Sequence, residues 1–104
     1  MQQTSFIRYL DLDNRVRVSF RTDRGTIKRF VIQYEVFLQQ QWQPIIRYDT
    51  AHGFAHTDLY HPSGKTEKIR MPTKDFNEAL TLAQEDIKQH WEWYLNNYLE
   101  GKNK

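Results

Sequence analysis

The strongest constraint on the fold is an alternation of apolar and polar residues that tight turn signals interrupt too often for long connections. The signals are Asp23-Arg24-Gly25, Gln39-Gln40-Gln41, His52-Gly53 and Pro62-Ser63-Gly64. The segments between them predict strands at about 15–22, 26–38, 42–49, 54–61 and 66–71, since period-two alternation marks a half-buried strand. Parallel neighbours need long crossovers, so short links imply an antiparallel meander. One face would carry Val16, Val18, Phe20, Phe30, Ile32, Tyr34, Val36, Leu38, Trp42, Ile46, Tyr48, Ala55, Leu59, Ile69 and Met71. Residues 1–14 contain Phe6, Ile7, Tyr9, Leu10 and Leu12 without clean alternation, and an edge strand is preferred there over a short helix.

An apolar sheet face has to be covered. Pro72 ends the sheet, and Asp75-Phe76-Asn77-Glu78 has the spacing of a capping-box variant. A helix is predicted over about 75–100, stopping at Gly101, with Phe76, Leu80, Ala83, Ile87, Trp91, Tyr94 and Tyr98 forming one apolar stripe. At a rise of about 1.5 Å per residue it would be roughly 39 Å long. Trp93 and Leu95 fall off the stripe and suit the sheet edge or a second copy of the chain. The expected fold is therefore α+β: one domain over 1–104, with a meander of about five strands and one long C-terminal helix across one face.

Composition removes several function classes. There is no cysteine among the 104 residues, which excludes disulfides, thiol nucleophiles and zinc–cysteinate sites. The start of the chain lacks the apolar segment of a signal peptide, and no apolar run reaches the roughly 18 residues that span a bilayer. A cytoplasmic protein without a membrane partner is expected. Residues 1–71 hold 11 Lys/Arg and 7 Asp/Glu, a net +4, whereas 74–100 balance Lys74 and Lys88 against six acids, a net −4. A basic sheet and an acidic helix suggest a bipolar surface that can meet phosphates.

The densest concentration of ionisable groups is Arg47-Tyr48-Asp49-Thr50-Ala51-His52-Gly53-Phe54-Ala55-His56-Thr57-Asp58. Alternation puts Arg17, Glu35, Arg47, Asp49, His56, Asp58, Lys68 and Arg70 together on the face opposite the helix. Three readings stay open. A binding module would use this face for nucleic acid or a protein partner, with Arg17, Glu35, His52, Lys68 and Arg70 as contacts. A metal-independent ribonuclease would use His56 or His52 with Asp49, Asp58 or Glu35 for acid–base work and Arg47, with Lys68 or Arg70, to clamp phosphate; Tyr60 and Phe54 would stack a base. Its catalytic candidates are His56, Asp58, Arg47 and Asp49. A structural subunit would pair, or form a homodimer, through the helix C-terminus. Metal binding by Asp49, His52, His56 and Asp58 is disfavoured, because residues four apart on a strand lie about 13 Å from each other, and neither metal nor cofactor is expected. Whether the chain is an enzyme is left undecided. His90 is read as an i,i+4 partner of Asp86, and His61 as a turn residue.

The run Gln33-Tyr34-Glu35, Trp42, the Arg47–Asp58 block and Lys68 resembles a group of small uncharacterised bacterial proteins over about half the chain. That resemblance brings no activity with it. More distantly, Arg47, Asp49, His52 and His56 are similar to positions in TumE-type toxins of bacterial toxin–antitoxin pairs, which implies a small β-rich toxin. The chain has Thr50-Ala51 where that pattern has an Asn-Ala-Pro-like turn, and it lacks a dense histidine cluster after His56.

Overall fold

A computed structural model describes residues 1–102. The chain runs β1 (Gln2–Asp11), β2 (Asn14–Asp23), β3 (Thr26–Leu38), β4 (Gln41–Asp49), β5 (His56–Tyr60), β6 (Thr66–Arg70) and α1 (Phe76–Lys102). The six strands form one sheet in sequence order, every neighbour antiparallel. The fold is α+β, as expected, with six strands in place of about five because residues 2–11 form an edge strand. Its turn is built by Asp11, whose Oδ1 accepts from Asp13 N at 2.9 Å and Asn14 Nδ2 at 2.8 Å. Arg24 and Gly25 (φ 53° and 80°) and Gln39 and Gln40 (φ 53° and 64°) turn the next two hairpins in the left-handed region, whose twist matches that of the flanking strands.

The helix lies across the apolar face, mainly on β3 and β4. Phe30, Ile32, Tyr34, Ile45 and Ile46 are fully enclosed, with Ala79, Ala83 and Ile87 above them. Phe76, Trp91, Tyr94 and Tyr98 of the expected stripe pack against this core, and Leu95 joins them; Trp93 stays 61% exposed. Two polar links enter the core. Tyr34 donates its hydroxyl to Asn14 Oδ1 at 2.5 Å, and the Tyr48 and Tyr94 hydroxyls both donate to Asp86 Oδ2. The helix does not reach over β1, which is exposed along nearly its whole length.

The helix start follows its sequence signature: Asp75 Oδ1 accepts from Glu78 N at 2.8 Å, and Glu78 reaches back to Lys74 N. Asn77 ties it to the β2–β3 hairpin by accepting from Ile27 N and donating to Gly25 O. The helix does not stop at Gly101. That glycine is helical and lies under the β5–β6 turn, where a Cβ would come within 3.2 Å of Pro62 Cδ. Close packing, rather than a C-cap, is what glycine provides there. No described helix is long and apolar enough to cross a membrane.

Candidate functional site

Strand pairing arranges the helix-free face in rows. One row reads Ile7, Arg17, Gln33, Arg47, Asp58 and Lys68 from β1 to β6. The next reads Ser5, Ser19, Val31, Asp49, His56 and Arg70. All eight residues assigned to this face by alternation (Arg17, Glu35, Arg47, Asp49, His56, Asp58, Lys68 and Arg70) lie on it. His52 sits in the β4–β5 loop at the rim.

The start of β4 changed face, Gln43 and Ile45 moving to the helix side and Trp42 away from it. In β4 the pairing steps from Tyr34↔Ile46 to Glu35↔Pro44, so Ile45 bulges and the alternation reverses beyond it. Trp42 was expected beside Ile46 and Tyr48 in the core and instead joins the helix-free face. There it packs edge-on against Tyr9 and Phe37, with ring centroids 6.2 and 5.2 Å away, and takes the Arg15 guanidinium 3.9 Å above its ring. The overlooked signal was Pro44: proline inside an inner strand marks a bulge.

A continuous chain of polar contacts crosses the face from β2 to β6. Arg15 Nε meets Glu35 Oε1 at 2.7 Å, and Gln33 donates from Nε2 to Glu35 Oε2 at 2.6 Å. Arg47 donates from Nη1 to Gln33 Oε1 at 3.3 Å and from Nε to Asp49 Oδ2 at 2.7 Å. His56 Nε2 lies 3.0 Å from Asp49 Oδ1 and 3.6 Å from Asp58 Oδ2. Lys68 Nζ closes the chain at 3.2 Å from Asp58 Oδ1. Opposite charges on paired strands attract, and the register alone puts Arg47 opposite Asp58 and Asp49 opposite His56.

The acids of this face are buried although no helix covers them: Glu35 is 5% exposed, Asp49 4% and Asp58 6%, and His56 is 4% exposed. The β4–β5 loop contributes to the cover. Thr50 anchors it by accepting from Phe30 N, and Gly53 (φ 84°) turns it with Gly53 N donating to Thr50 O. The turn brings the His52 ring to 5.5 Å and the Phe54 ring to 5.8 Å from that of His56, and Arg70 stacks 4.7 Å from the Phe54 ring centroid. Phe54 therefore belongs to the loop rather than to the fourth predicted strand, which begins at His56, and its ring is already occupied. The two histidines are also far closer than a continuous strand would hold them.

Burial pushes the Asp49 carboxyl pKa up, but the hydrogen bonds from Arg47 and Ala51 N and the charges of His56 and Arg47 outweigh it and leave it below the ordinary value. Burial, aided by Asp58, pushes the neighbouring Tyr60 hydroxyl up. His56 Nδ1 is buried with no hydrogen-bond partner. The unpaired cations of the face are different, Arg17, Arg29 and Arg70 being exposed and Arg21 half-buried. Among the described residues Arg17, Arg21, Arg29 and Arg70 enter no ion pair. Arg21 and Arg29 stand directly opposite each other on β2 and β3. A groove of about 400 Å³ runs beside them, lined by Gln3, Ser19, Arg29, Val31, Arg47 and Asp49 among others.

Residues 1–104 match the family described as DUF7718, a domain of unknown function. The chain belongs to that family. Membership in an uncharacterised family agrees with the first resemblance drawn from the sequence, and the DUF7718 assignment names no activity. No curated protein and no solved structure matches this DUF7718 chain.

Proposed function

We propose that the helix-free face of the sheet is a binding surface for single-stranded nucleic acid. The observation that supports it best is the division of charge by depth. Each acid of the face is buried and matched by one cation: Glu35 by Arg15, Asp49 by Arg47 and Asp58 by Lys68. Besides Lys68, whose side chain stays 64% exposed while it pairs with Asp58, a ligand meets the unmatched set, Arg17, Arg21, Arg29 and Arg70. These are all arginines, the side chain whose planar fork grips a phosphate bidentately. Arg21 opposite Arg29 is an arrangement that repels itself without a bound anion. The Tyr9–Trp42–Phe37 cluster adds aromatic surface at one end, which favours unpaired bases over an acidic protein. Across six strands, about 4.8 Å apart, the face spans roughly 24 Å.

Metal-independent RNA cleavage has less support. An acid–base histidine has to reach the substrate, and His56 is buried with its Nε2 between two carboxylates. The test is fluorescence anisotropy with a labelled single-stranded RNA. The double variant Arg17→Gln/Arg70→Gln should bind on the order of tenfold or more weakly than wild type at low salt. Lys88→Gln, on the helix, should bind as wild type does. Equal affinity in the double variant, or no binding by wild type, would overturn the proposal.

A further inference from the structure

We infer that Asp49, His56 and Asp58 form a binding site for a single divalent transition-metal ion such as zinc, manganese or cobalt. The sequence argued against a metal because it paired His52 with His56 along one strand. Cross-strand register builds a different set. One ligand atom from each of Asp49, His56 and Asp58 lies within 4.8 Å of the others, and all three residues are buried.

The spacing suits coordination. Bonds of about 2.0–2.2 Å at tetrahedral or octahedral angles put neighbouring donor atoms roughly 3.0–3.5 Å apart. His56 Nε2 already stands 3.0 Å from Asp49 Oδ1 and 3.6 Å from Asp58 Oδ2. The outer oxygens are held as metal-site carboxylates usually are. Arg47 grips Asp49 Oδ2 and Lys68 grips Asp58 Oδ1, which turns Asp58 Oδ2 and Asp49 Oδ1, the latter also accepting from Ala51 N at 3.1 Å, toward His56. One imidazole nitrogen and two carboxylate oxygens suit a borderline transition metal better than calcium, which takes oxygen ligands.

His56 turns Nε2 toward the two carboxylates, while Nδ1 is buried with no partner, so Nε2 is the ring nitrogen placed to ligate. Three protein ligands leave at least one coordination position open. Asp49 lines the groove beside Arg47, so the groove is the route by which an ion or an anion reaches the site.

The experiment titrates zinc, manganese and cobalt separately into EDTA-treated, dialysed protein, following bound metal per chain and the visible absorption of cobalt. One equivalent should bind. Asp58→Asn and His56→Gln should each weaken binding at least about tenfold, and His90→Gln, which alters the exposed His90–Asp86 pair, should leave it unchanged. In wild type, substoichiometric manganese should broaden the His56 ring resonances in NMR spectra before those of His90, a readout that does not depend on any variant folding. Failure of wild type to take up an equivalent of any of the three, unchanged binding in Asp58→Asn, or broadening centred on another histidine would overturn the site. Nucleic-acid binding is scored separately on the arginine variants, so the two proposals can fail independently.

Discussion

Binding through the unmatched arginines alone fixes how steeply affinity falls with salt. For single-stranded nucleic acid, each phosphate neutralised contributes about −0.7 to the slope of log K against log salt. If only Arg17, Arg21, Arg29 and Arg70 are available, the slope should be about −2.8, and raising salt from about 50 to 200 mM should weaken binding by about fifty-fold. Arg21→Gln/Arg29→Gln should lower the slope to about −1.4 and the same salt step to about sevenfold. That pair also repels itself in the free protein, so its removal should raise stability by about 0.2–1 kcal/mol while weakening binding. The assay is anisotropy of a labelled RNA across a series of salt concentrations for wild type and the double variant, with chemical denaturation of both. A wild-type slope near −4.9 would mean that Arg15, Arg47 and Lys68 also reach phosphate, and the idea that their acids occupy them would be wrong. A slope that does not change in the double variant would remove Arg21 and Arg29 from the surface.

Two further predictions concern the link between sheet and helix. Asp86→Ala removes the acceptor of both the Tyr48 and Tyr94 hydroxyls and leaves the first buried without a partner; urea denaturation should register a loss of about 2–4 kcal/mol, and a loss below about 0.5 kcal/mol would show that these hydrogen bonds contribute little. Burial, with Asp86 beside it, pushes Tyr48 far up and Tyr94 up to about 12, while burial pushes Tyr34 up as well. A raised tyrosine pKa favours the neutral folded form, so this stability is complete below the unfolded value near 10 and should fall as pH rises from there toward the folded values. Absorbance at about 295 nm should show a set of tyrosines that ionise only on unfolding; full ionisation of the folded protein by pH 11 would contradict it.

Much of the molecule was legible in the chain because strand period and turn chemistry are local. The β3 bounds, the hairpin at Arg24-Gly25 and the helix cap at Asp75 follow from residues within a few positions of each other. The shared face of Arg17, Glu35, Arg47, Asp49, His56, Asp58, Lys68 and Arg70 was legible for the same reason, since alternation carries from strand to strand once the register is antiparallel. What was lost depended on departures from period two or on distant contacts. The bulge at Ile45 moved Trp42 across the sheet, and only Pro44 hinted at it. The edge strand β1 has no alternation to read, because the helix covers neither of its faces and both can mix apolar with polar residues. The burial of Asp49, His56 and Asp58 was hidden too. It is set in part by a loop that folds back through Gly53, and alternation says which side a residue faces but not whether something covers that side.

Stability alone does not explain the buried charges. A buried ion pair returns little more than it loses by desolvation, and apolar residues of similar size would hold the sheet as well. The arrangement makes more sense as a way of presenting the arginines. Glu35, Asp49 and Asp58 offset part of the positive charge that would otherwise make the face repel itself. At the surface they would repel a phosphate; under it they act mainly on their partner cations, while the water-exposed arginines keep their reach. The helix contributes from the other side. Its acids, Glu78, Glu85, Asp86, Glu92 and Glu100, lie across the sheet from the arginines, so a polyanion approaching at low salt is drawn to one face and repelled by the other. On that argument the long acidic helix orients the ligand as well as covering the core, and the two roles separate by experiment: neutralising exposed helix acids such as Glu85 and Glu92 removes repulsion and should speed association at low salt while the melting temperature holds.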